Sequence, residues 1–254
     1  MKKKFKYFIY KLISPFFNPF ELLNSFPGYA RFIKDLIKYS KIEGSESIHL
    51  LDIYPCLHDR TKTTSFDAHY FYQDIWALKR IYESKVKHHV DVGSRAIFVG
   101  MLTTFTNVTF IDIRPLRAKL EGLECKKGNI LSLPFEDNSL ESLSCLCVAE
   151  HIGLGRYGDP LDPLGTKKAA KELSRVLAVN GNLYFSVPVG KPRLCFNAHR
   201  IHSPKQIISY FQDLNLIELS GVDDQGLFKE NMDIDILEKS DYACGLFWFT
   251  KNAR

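Results

Sequence analysis

The stretch from His89 to Asp112 restricts the fold more than any other part of this chain of 254 residues. Its residues are typical of a short apolar strand that stops at Gly93, a helix over residues 97–106, and a second strand over residues 108–113. Two parallel strands joined by a helix are the unit of a doubly wound sheet, which binds ligands at the carboxyl ends of its strands. The stretch therefore predicts a nucleoside-binding half of such a sheet.

The alternation of strands and helices continues to the end of the chain. Further strands are predicted around residues 129–130, 140–149, 182–189, 216–220 and 243–250. Helices are predicted to begin at three capping residues, Asp67, Thr166 and Ser203. Residues 48–54 predict one more strand outside the main sheet, and the last two strands predict a hairpin-like edge.

The composition is that of one large folded body in a reducing compartment. Hydrophobic residues make up 45% of the chain and charged residues 25%, which suffices for one large core and argues against disorder. The six cysteines are scattered and include no CxxC pair. This usage favours a reduced, cytoplasmic protein and argues against a structural zinc site.

Positive charge is concentrated at the N-terminus. Residues 1–45 hold nine lysines and arginines against three acids, a net +6, so residues 46–254 carry −1 of the total of +5. We therefore divide the chain into a basic helical extension over residues 1–45 and an α/β body over residues 46–254. The body lacks the basic surplus that nucleic-acid binding requires, and we expect no nucleic-acid partner.

Residues 1–20 carry apolar side chains at helical spacing, with lysines beside them. Lys11 interrupts the apolar run, which is far shorter than the ~20 residues of a membrane span. A basic amphipathic segment of this kind binds anionic membrane surfaces, which predicts peripheral membrane contact. Packing of the same helix on the body, with its lysines in water, is an equal alternative.

Residues at the predicted sheet edge suit a nucleoside ligand. Gly93 lets the backbone approach a ligand, and the helix after it presents free N–H groups to a carboxylate. Asp112 ends the second strand, where a carboxylate accepts hydrogen bonds from ribose hydroxyls. The Asn129 amide both donates and accepts, as an adenine edge requires. Asp91 either joins this site or caps the turn.

Five segments, in order and spacing, resemble the class I S-adenosylmethionine-dependent methyltransferases: DVGS at 91–94, Asp112, GNI at 128–130, LPFEDNSLESLSCLCVAEH at 133–151, and NGNLYFSVPV at 180–189. The resemblance implies a Rossmann-like, mostly parallel sheet of seven strands with helices on both faces, and S-adenosylmethionine as cofactor. It implies a cofactor site formed by Asp91, Gly93, Ser94, Asp112, Asn129, Ile130 and Glu150.

Arg95 and Ala96 stand where that family carries further glycines. We hypothesise that Arg95 binds the cofactor carboxylate directly, because a guanidinium pairs with a carboxylate through two hydrogen bonds. The departure also argues against a dinucleotide enzyme, since a GxGxxG loop is absent and pyrophosphate needs close backbone approach.

Three other segments resemble an uncharacterised methyltransferase-like subfamily that is often encoded among surface-polysaccharide genes. They are HDRTKTTSFDAHYFYQDIW, EHIGLGRYGDPLDPLG and VPVGKPRLCFNAHRI, with FNAHR the most specific piece. This similarity supports the fold and hardly identifies the substrate; we expect an acceptor that is a saccharide or a related small molecule, free or lipid-linked.

The same three segments supply the predicted acceptor side. Candidate acceptor-binding residues are Asp159, Asp162, Asn197, Arg200, His69 and Tyr70. Transfer to a hydroxyl needs alignment and a base, for which we predict His199 first and His151 second. Arg200 would bind an acidic or phosphorylated group. A structural role is the alternative to ligand binding for each group. Asp159 and Asp162 also suit turns, and Glu150-His151 and the residues at the start of the helix after Asp67 also suit helix caps.

Asp159, Asp162 and His151 also permit a divalent cation, but oxygen ligands in a loop are a weak signal, and we predict a metal-independent enzyme. The sequence thus predicts transfer of a methyl group to a hydroxyl of a saccharide in surface-polysaccharide biosynthesis. The rival hypothesis is a non-catalytic relative that acts as a binding or scaffold protein in a polysaccharide assembly complex. A nucleotide-sugar enzyme ranks last, because a phosphate-binding glycine loop is absent.

Overall fold

A computed structural model describes residues 19–252, and the chain divides into two compact units, Met1–Ser65 and Phe66–Arg254. In the first unit, helix α1 spans Pro19–Tyr39, and a single 3-10 turn spans Leu50–Asp52. The strand predicted over residues 48–54 is therefore wrong. A strand is stable only when it pairs, and no strand of the described residues pairs with this segment. The side chain of Leu51 is instead 99% exposed.

One side of α1 packs within its own unit. Gly28 is buried, and a Cβ built on it would lie 3.0 Å from Cβ of Leu57. Arg31 donates to the Leu57 carbonyl oxygen at 2.8 Å. The opposite side of α1 exposes Phe26 and Ile33 to solvent. The helix thus has one packed apolar side and one exposed apolar side.

The second unit alternates strands and helices. Its helices are α2 (Ala68–Ser84), α3 (Ala96–Leu102), α4 (Gly165–Val176), α5 (Pro204–Tyr210) and α6 (Ile234–Lys239). Its strands are β1 (His88–Val92), β2 (Asn107–Asp112), β3 (Leu123–Lys127), β4 (Leu140–Leu146), β5 (Leu177–Val189), β6 (Arg193–Cys195), β7 (His199–Ile201), β8 (Asn215–Val222), β9 (Phe228–Lys229) and β10 (Ala243–Thr250).

Eight strands form the main sheet, in the order β3-β2-β1-β4-β5-β10-β8-β9, while β6 and β7 form a small separate ribbon. Strands β1 to β5 are parallel to one another, and β10 runs antiparallel to both β5 and β8. The predicted mostly parallel sheet is confirmed, with the two-residue β9 added at its edge. The last pair of strands does pair, but β10 lies inside the sheet rather than at its edge.

Helices cover both faces of the sheet. On one face, Ala169, Ala170 and Leu173 of α4 are fully buried in a cluster with residues of β4 and β5. On the other face, Trp76 and Ile81 of α2 are buried in a second cluster with residues of α3 and β2. The apolar residues of the strands supply both clusters, as expected of a doubly wound sheet.

A buried ion pair fixes α2 to β8. Nε of Arg80 lies 2.7 Å from one Glu218 oxygen, and its Nη2 lies 2.6 Å from the other. Nε1 of Trp76 donates to the same carboxylate at 3.0 Å. Burial alone would raise the pKa of Glu218, but the bonds from Arg80, Ser220 and Trp76 outweigh it and hold that pKa low. The start of α2 is thereby held at a fixed position over the sheet.

Candidate functional site

Two cavities open at the carboxyl ends of the parallel strands in the second unit. The smaller, of about 450 Å³, lies beyond β1, β2 and β3 and is lined by Gly93, Asp112, Asn129 and Ile130 among others. The larger, of about 860 Å³, is lined by residues from the start of α2, from the loop after β5 and from the segments before β9 and β10. Cys147 and His151 line both cavities, so the two spaces adjoin.

The turn after β1 has the geometry that the DVGS segment predicts. Gly93 has a φ of +75°, and its N–H donates to the Ile111 carbonyl oxygen at 2.9 Å. A Cβ at this position would lie 2.9 Å from Cγ1 of Val148, closer than real contacts allow. Only glycine fits this turn without strain, and the backbone itself becomes the cavity wall.

The structure brings three predicted cofactor residues to the smaller cavity at the ends of β2 and β3. The Asp112 carboxylate ends β2 and accepts from the Arg114 N–H at 2.6 Å. Asn129 follows β3, and its side-chain oxygen accepts from the Leu131 N–H at 2.9 Å. The buried side chain of Ile130 adds an apolar surface. Their arrangement offers a carboxylate, an amide and an apolar wall in one cavity.

Asp91 and Ser94 stabilise the turn after β1 through their hydrogen bonds. The fully buried Asp91 carboxylate accepts from the Ser94 N–H at 3.0 Å and from the Ser144 hydroxyl. Burial raises the pKa of Asp91 to about 6, against the lowering effect of these bonds. The Ser94 hydroxyl accepts from the Leu146 N–H at 3.0 Å and so ties the turn to β4. These contacts match the turn-capping alternative, and neither side chain lines the smaller cavity.

Glu150 lies in a 3-10 turn (Ala149–His151) just beyond β4, and its side chain is 2% exposed. Glu150 lines the larger cavity, and its Oε2 is the single buried side-chain N or O atom, among the described residues, that has no hydrogen-bond partner. Burial raises the pKa of Glu150 to about 8. A buried carboxyl oxygen without a partner is costly, and such an atom in a cavity wall suits a ligand that donates to it.

His151 lies between the two cavities. Its Nδ1 is 2.6 Å from the Ala198 carbonyl oxygen, which can only accept, so Nδ1 carries a proton. Its Nε2 is 3.5 Å from Oε1 of Glu150. Burial lowers the pKa of His151 to about 4, so that its neutral form prevails near neutral pH. Nε2 is then the basic nitrogen and faces Glu150.

Rings from separate elements form one wall of the larger cavity. The Tyr242 ring centroid lies 5.1 Å from that of His69 and 5.4 Å from that of His199. The centroids of His199 and His151 are 6.4 Å apart. Both predicted bases and the predicted acceptor residues His69 and Tyr70 therefore line one cavity.

Arg95 contacts α2. Its guanidinium carbon lies 4.6 Å from the centre of the Tyr70 ring, and its Nη2 lies 4.0 Å from Oδ2 of Asp74. Arg95 precedes α3 and lines neither cavity, although Tyr70 lines the larger one.

The other predicted acceptor residues mainly hold the loop after β4. Arg200 donates to the carbonyl oxygens of Ile152, at 2.5 Å, and Asp162, at 2.9 Å. Asp162 accepts from the Leu164 N–H and pairs with Lys168. These contacts match the turn-forming alternative, and neither Arg200 nor Asp162 lines a cavity.

Asp159 accepts from the N–H groups of Gly153, at 2.6 Å, and Tyr157, at 3.3 Å, and it lines the smaller cavity. Asn197 is exposed and lines neither cavity. Within residues 19–252, no group of three or more His, Cys, Asp or Glu side chains is arranged to hold a metal ion.

Several lining residues were missed by the sequence analysis. Tyr157 closes the smaller cavity with Arg114, whose guanidinium carbon lies 4.2 Å from its ring centre. Cys147 adopts a φ of +54° where the two cavities meet. Asp223 and Asp224 reach the larger cavity from the turn before β9. Each lies on a loop, where residue type alone gives no periodic signal.

Comparison with known proteins places the fold. A family model described as a Caenorhabditis protein of unknown function, DUF268, matches residues 135–234. No curated protein matches the chain in sequence. The N-methyltransferase NodS from Bradyrhizobium japonicum WM9, in complex with S-adenosyl-L-homocysteine, superposes with a TM-score of 0.51 at 16% identity, covering 87% of this chain and 98% of NodS. A second structure of NodS superposes with a TM-score of 0.52 at 16% identity, covering 74% of this chain and 98% of NodS.

The [4+2]-cyclase SpnF superposes with a TM-score of 0.50 at 12% identity, over 71% of this chain and 81% of SpnF. At such identities the likeness shows the fold alone. The chain therefore has the Rossmann-like fold of class I methyltransferases. Since a cyclase shares that fold, the reaction has to be argued from the site.

The site fits S-adenosylmethionine on its own features. Gly93 lines the cavity without a side chain, and the Asp112 carboxylate and the Asn129 amide in the same cavity suit ribose hydroxyls and an adenine edge. Glu150, which carries the unpartnered oxygen, lines the larger cavity beside His151. A donor molecule in the smaller space and an acceptor in the larger space would meet beside Cys147 and His151.

Proposed function

We propose that this protein is an S-adenosylmethionine-dependent methyltransferase that methylates a hydroxyl of a saccharide or a related small acceptor in surface-polysaccharide biosynthesis. The observation that carries the proposal is the pair of adjoining cavities at the carboxyl edge of the sheet, with His151 in the wall of both. When bound, the cofactor supplies an electrophilic methyl group on a sulfonium.

The cofactor is assigned to the smaller cavity. Asp112 would accept from the ribose hydroxyls, Asn129 would bind the adenine edge, and Ile130 would pack against the base. Gly93 allows close approach of the backbone. Arg95 is proposed to bind the carboxylate from the side of Tyr70. The role of the protein is to hold the cofactor in one position and exclude water from it.

The acceptor is assigned to the larger cavity. Its polar lining and its wall of His69, Tyr242 and His199 suit a ring that carries several hydroxyls, because apolar ring faces stack on aromatic side chains while hydroxyls need polar partners. Cys147 and His151 mark the point at which the acceptor hydroxyl would meet the methyl group.

Calorimetric titration of the full chain with S-adenosylmethionine and S-adenosylhomocysteine tests the cofactor. We expect binding in the micromolar range, and at least a tenfold loss for Asp112→Ala, which removes a charge-assisted hydrogen bond worth about 1.5–3 kcal/mol. Glu141→Gln, on the exposed side of β4, is the control. Absence of binding by well-folded protein would favour the scaffold alternative.

A second assay tests the reaction. Tritiated S-adenosylmethionine is incubated with soluble neutral glycosides and their phosphate esters, and methyl transfer is counted in the product. Transfer to any of them establishes the activity. Binding of the cofactor without transfer would direct the screen to lipid-linked saccharides.

We also propose that the N-terminal unit holds the enzyme at the cytoplasmic face of a membrane. Residues 1–18 of the basic segment lie outside the described residues, but α1 supports the proposal. It exposes Phe26, Ile33 and Ile37, with Lys34 and Lys38 exposed beside them. Such a surface binds anionic lipids through apolar and charge contacts together. No helix among residues 19–252 is long and apolar enough to cross a membrane.

A further inference from the structure

We propose that Glu150 and His151 form a proton-relay pair in the wall of the larger cavity, and that the unpartnered Glu150 oxygen receives the proton of an uncharged hydroxyl acceptor. The proposal rests on the proposed function. It identifies the base for the methyl transfer and specifies that the acceptor carries no charge. Sequence analysis gave Glu150 to the cofactor and placed His199 first as base.

The hydrogen bonds of His151 determine the direction of the relay. Nδ1 donates its proton to the Ala198 carbonyl oxygen, whose second lone pair accepts from Nη1 of Arg156 at 3.0 Å. In the neutral ring, which burial favours, this bond selects the tautomer in which Nε2 has a free lone pair. Nε2 faces Oε1 of Glu150 at 3.5 Å, and two bare lone pairs would repel each other there. A protonated Glu150 removes the conflict, and a small rotation of its carboxyl that shortens this distance would let Oε1 donate to Nε2.

The second oxygen of Glu150 then serves the acceptor. Oε2 is buried, lacks a partner among the described residues, and belongs to a residue that lines the larger cavity. In a protonated carboxyl whose proton lies on Oε1, Oε2 is an acceptor of hydrogen bonds. An acceptor hydroxyl bound there is held by its proton, and its oxygen is left free to attack.

The step balances without any further reactant. The hydroxyl oxygen forms a bond to the methyl carbon, and the sulfur keeps the electron pair of the bond that breaks. The hydroxyl proton passes to Oε2 of Glu150 as the proton on Oε1 passes to Nε2 of His151. The pair ends with an imidazolium at His151 and a carboxyl at Glu150, and the imidazolium releases its proton to water.

The charges of the larger cavity favour an uncharged acceptor. Asp67, Asp223 and Asp224 each accept from backbone N–H groups, which holds their carboxylates in place on the lining. Arg156 is the single Lys or Arg among the described lining residues, and one of its N–H groups is used by Ala198. Arg200, predicted to bind a phosphate, donates instead to two loop carbonyl oxygens. A phosphorylated acceptor would meet several carboxylates and few free donors.

The groups that face Glu150 come from several elements. Besides His151 they are Arg156, Tyr70, Tyr242, Cys145 and Cys147. Burial has the largest influence on the pKa of Glu150 and raises it, whereas the positive charge of Arg156 lowers that pKa by a smaller amount. Burial also raises the pKa of Tyr70 to about 12. Glu150 is therefore the group in this set that titrates near pH 8.

Nitrogen-15 NMR of the histidine side chains in the full chain tests the pair without any acceptor. We expect His151 to keep a protonated Nδ1 and a bare Nε2 at pH 7, and its Nε2 resonance to shift with a midpoint near pH 8 as Glu150 ionises. The shift disappears in Glu150→Gln and persists in Glu141→Gln. His151→Asn identifies the resonance. A protonated Nε2 at pH 7, or an unchanged transition in Glu150→Gln, overturns the relay.

Methyl transfer tests the same pair in action. With methyl α-D-glucopyranoside or another neutral glycoside that the wild type methylates, Glu150→Gln should lower kcat about 100-fold, the usual contribution of a general base, with the Kd for S-adenosylmethionine unchanged. If Glu150→Gln has the kcat of the wild type, Glu150 does not receive the proton. If the wild type methylates glucose 6-phosphate faster than the neutral glycoside, the inference of an uncharged acceptor is wrong. If the wild type methylates neither soluble nor lipid-linked saccharides, the proposed function fails, and the NMR result still decides the pair.

Discussion

The guanidinium of Arg95 lies over the ring of Tyr70, with 4.6 Å from its central carbon to the ring centre. Arg95 stands in the turn where the methyltransferase pattern has glycine, and Tyr70 lines the larger cavity. This contact holds the arginine against α2, and Arg95 does not line the smaller cavity beside Gly93. The departure from the glycine-rich pattern is thus compatible with an open cofactor cavity, which weakens the main argument for a non-catalytic relative.

Arg95→Ala tests whether this side chain also binds the cofactor carboxylate. We expect about a tenfold loss of affinity for S-adenosylmethionine, because a charge-assisted pair contributes about 1.5–3 kcal/mol. Methylthioadenosine lacks the amino-acid part and should bind both proteins equally, as measured by calorimetry. Equal binding of S-adenosylmethionine by wild type and variant would limit Arg95 to its contacts with Tyr70 and Asp74.

Gly93→Ala should weaken both folding and cofactor binding. The φ of +75° adds backbone strain of about 1–2 kcal/mol, and the new Cβ meets Cγ1 of Val148 at 2.9 Å. Gly44→Ala is the matched control, since Gly44 has a φ of +80° and nothing within 4 Å of an added Cβ. Urea unfolding should show a loss in both variants, and calorimetry a loss of S-adenosylmethionine affinity in Gly93→Ala alone. Unchanged affinity would place the cofactor elsewhere.

Membrane association is predicted to depend on the apolar side of α1. Replacing Phe26, Ile33 and Ile37 together by serine removes exposed apolar area, so flotation with vesicles of anionic phospholipid should fall several-fold. Leu161→Ser, at an exposed site of the second unit, is the control. Deleting residues 1–20 should abolish flotation. Flotation that survives both changes would contradict a membrane role for the N-terminal unit.

The sheet and its ligand-binding edge were predictable from the sequence because both follow from local patterns. Apolar runs ending at Gly93 and Asp112 locate β1 and β2, and the carboxyl edge of parallel strands then follows from topology. The strand predicted over residues 48–54 failed because a strand depends on a partner. The position of β10 inside the sheet also depends on a distant pairing, with β5 and β8.

The roles of individual polar residues were harder to predict. Asp162 and Arg200 look like ligand-binding residues in the sequence, but they hold a loop through backbone groups that no sequence pattern specifies. The sequence pattern predicts a cofactor contact or a cap for Glu150, and its burial becomes visible only in the folded chain. Whether a polar side chain serves the fold or a ligand depends on which backbone groups the tertiary structure leaves open.

The buried carboxyl of Glu150 predicts a particular pH dependence of stability. Its pKa is about 8 in the folded protein against 4.5 in the unfolded chain, so the folded state holds the proton over this window. Stability due to this group is therefore full below about pH 4.5 and is lost as the pH rises through 8. Glu150→Gln cannot ionise and should lack this loss.

Urea unfolding of wild type and Glu150→Gln at about pH 5.5 and about pH 8 measures the effect. The wild type should lose more free energy of unfolding between the two pH values, with an upper limit of about 3 kcal/mol for one such group. Asp91, whose pKa burial raises to about 6, titrates in both proteins and cancels in the difference. Parallel losses in the two proteins would mean that Glu150 is already ionised in the folded protein at about pH 5.5, which contradicts a raised pKa.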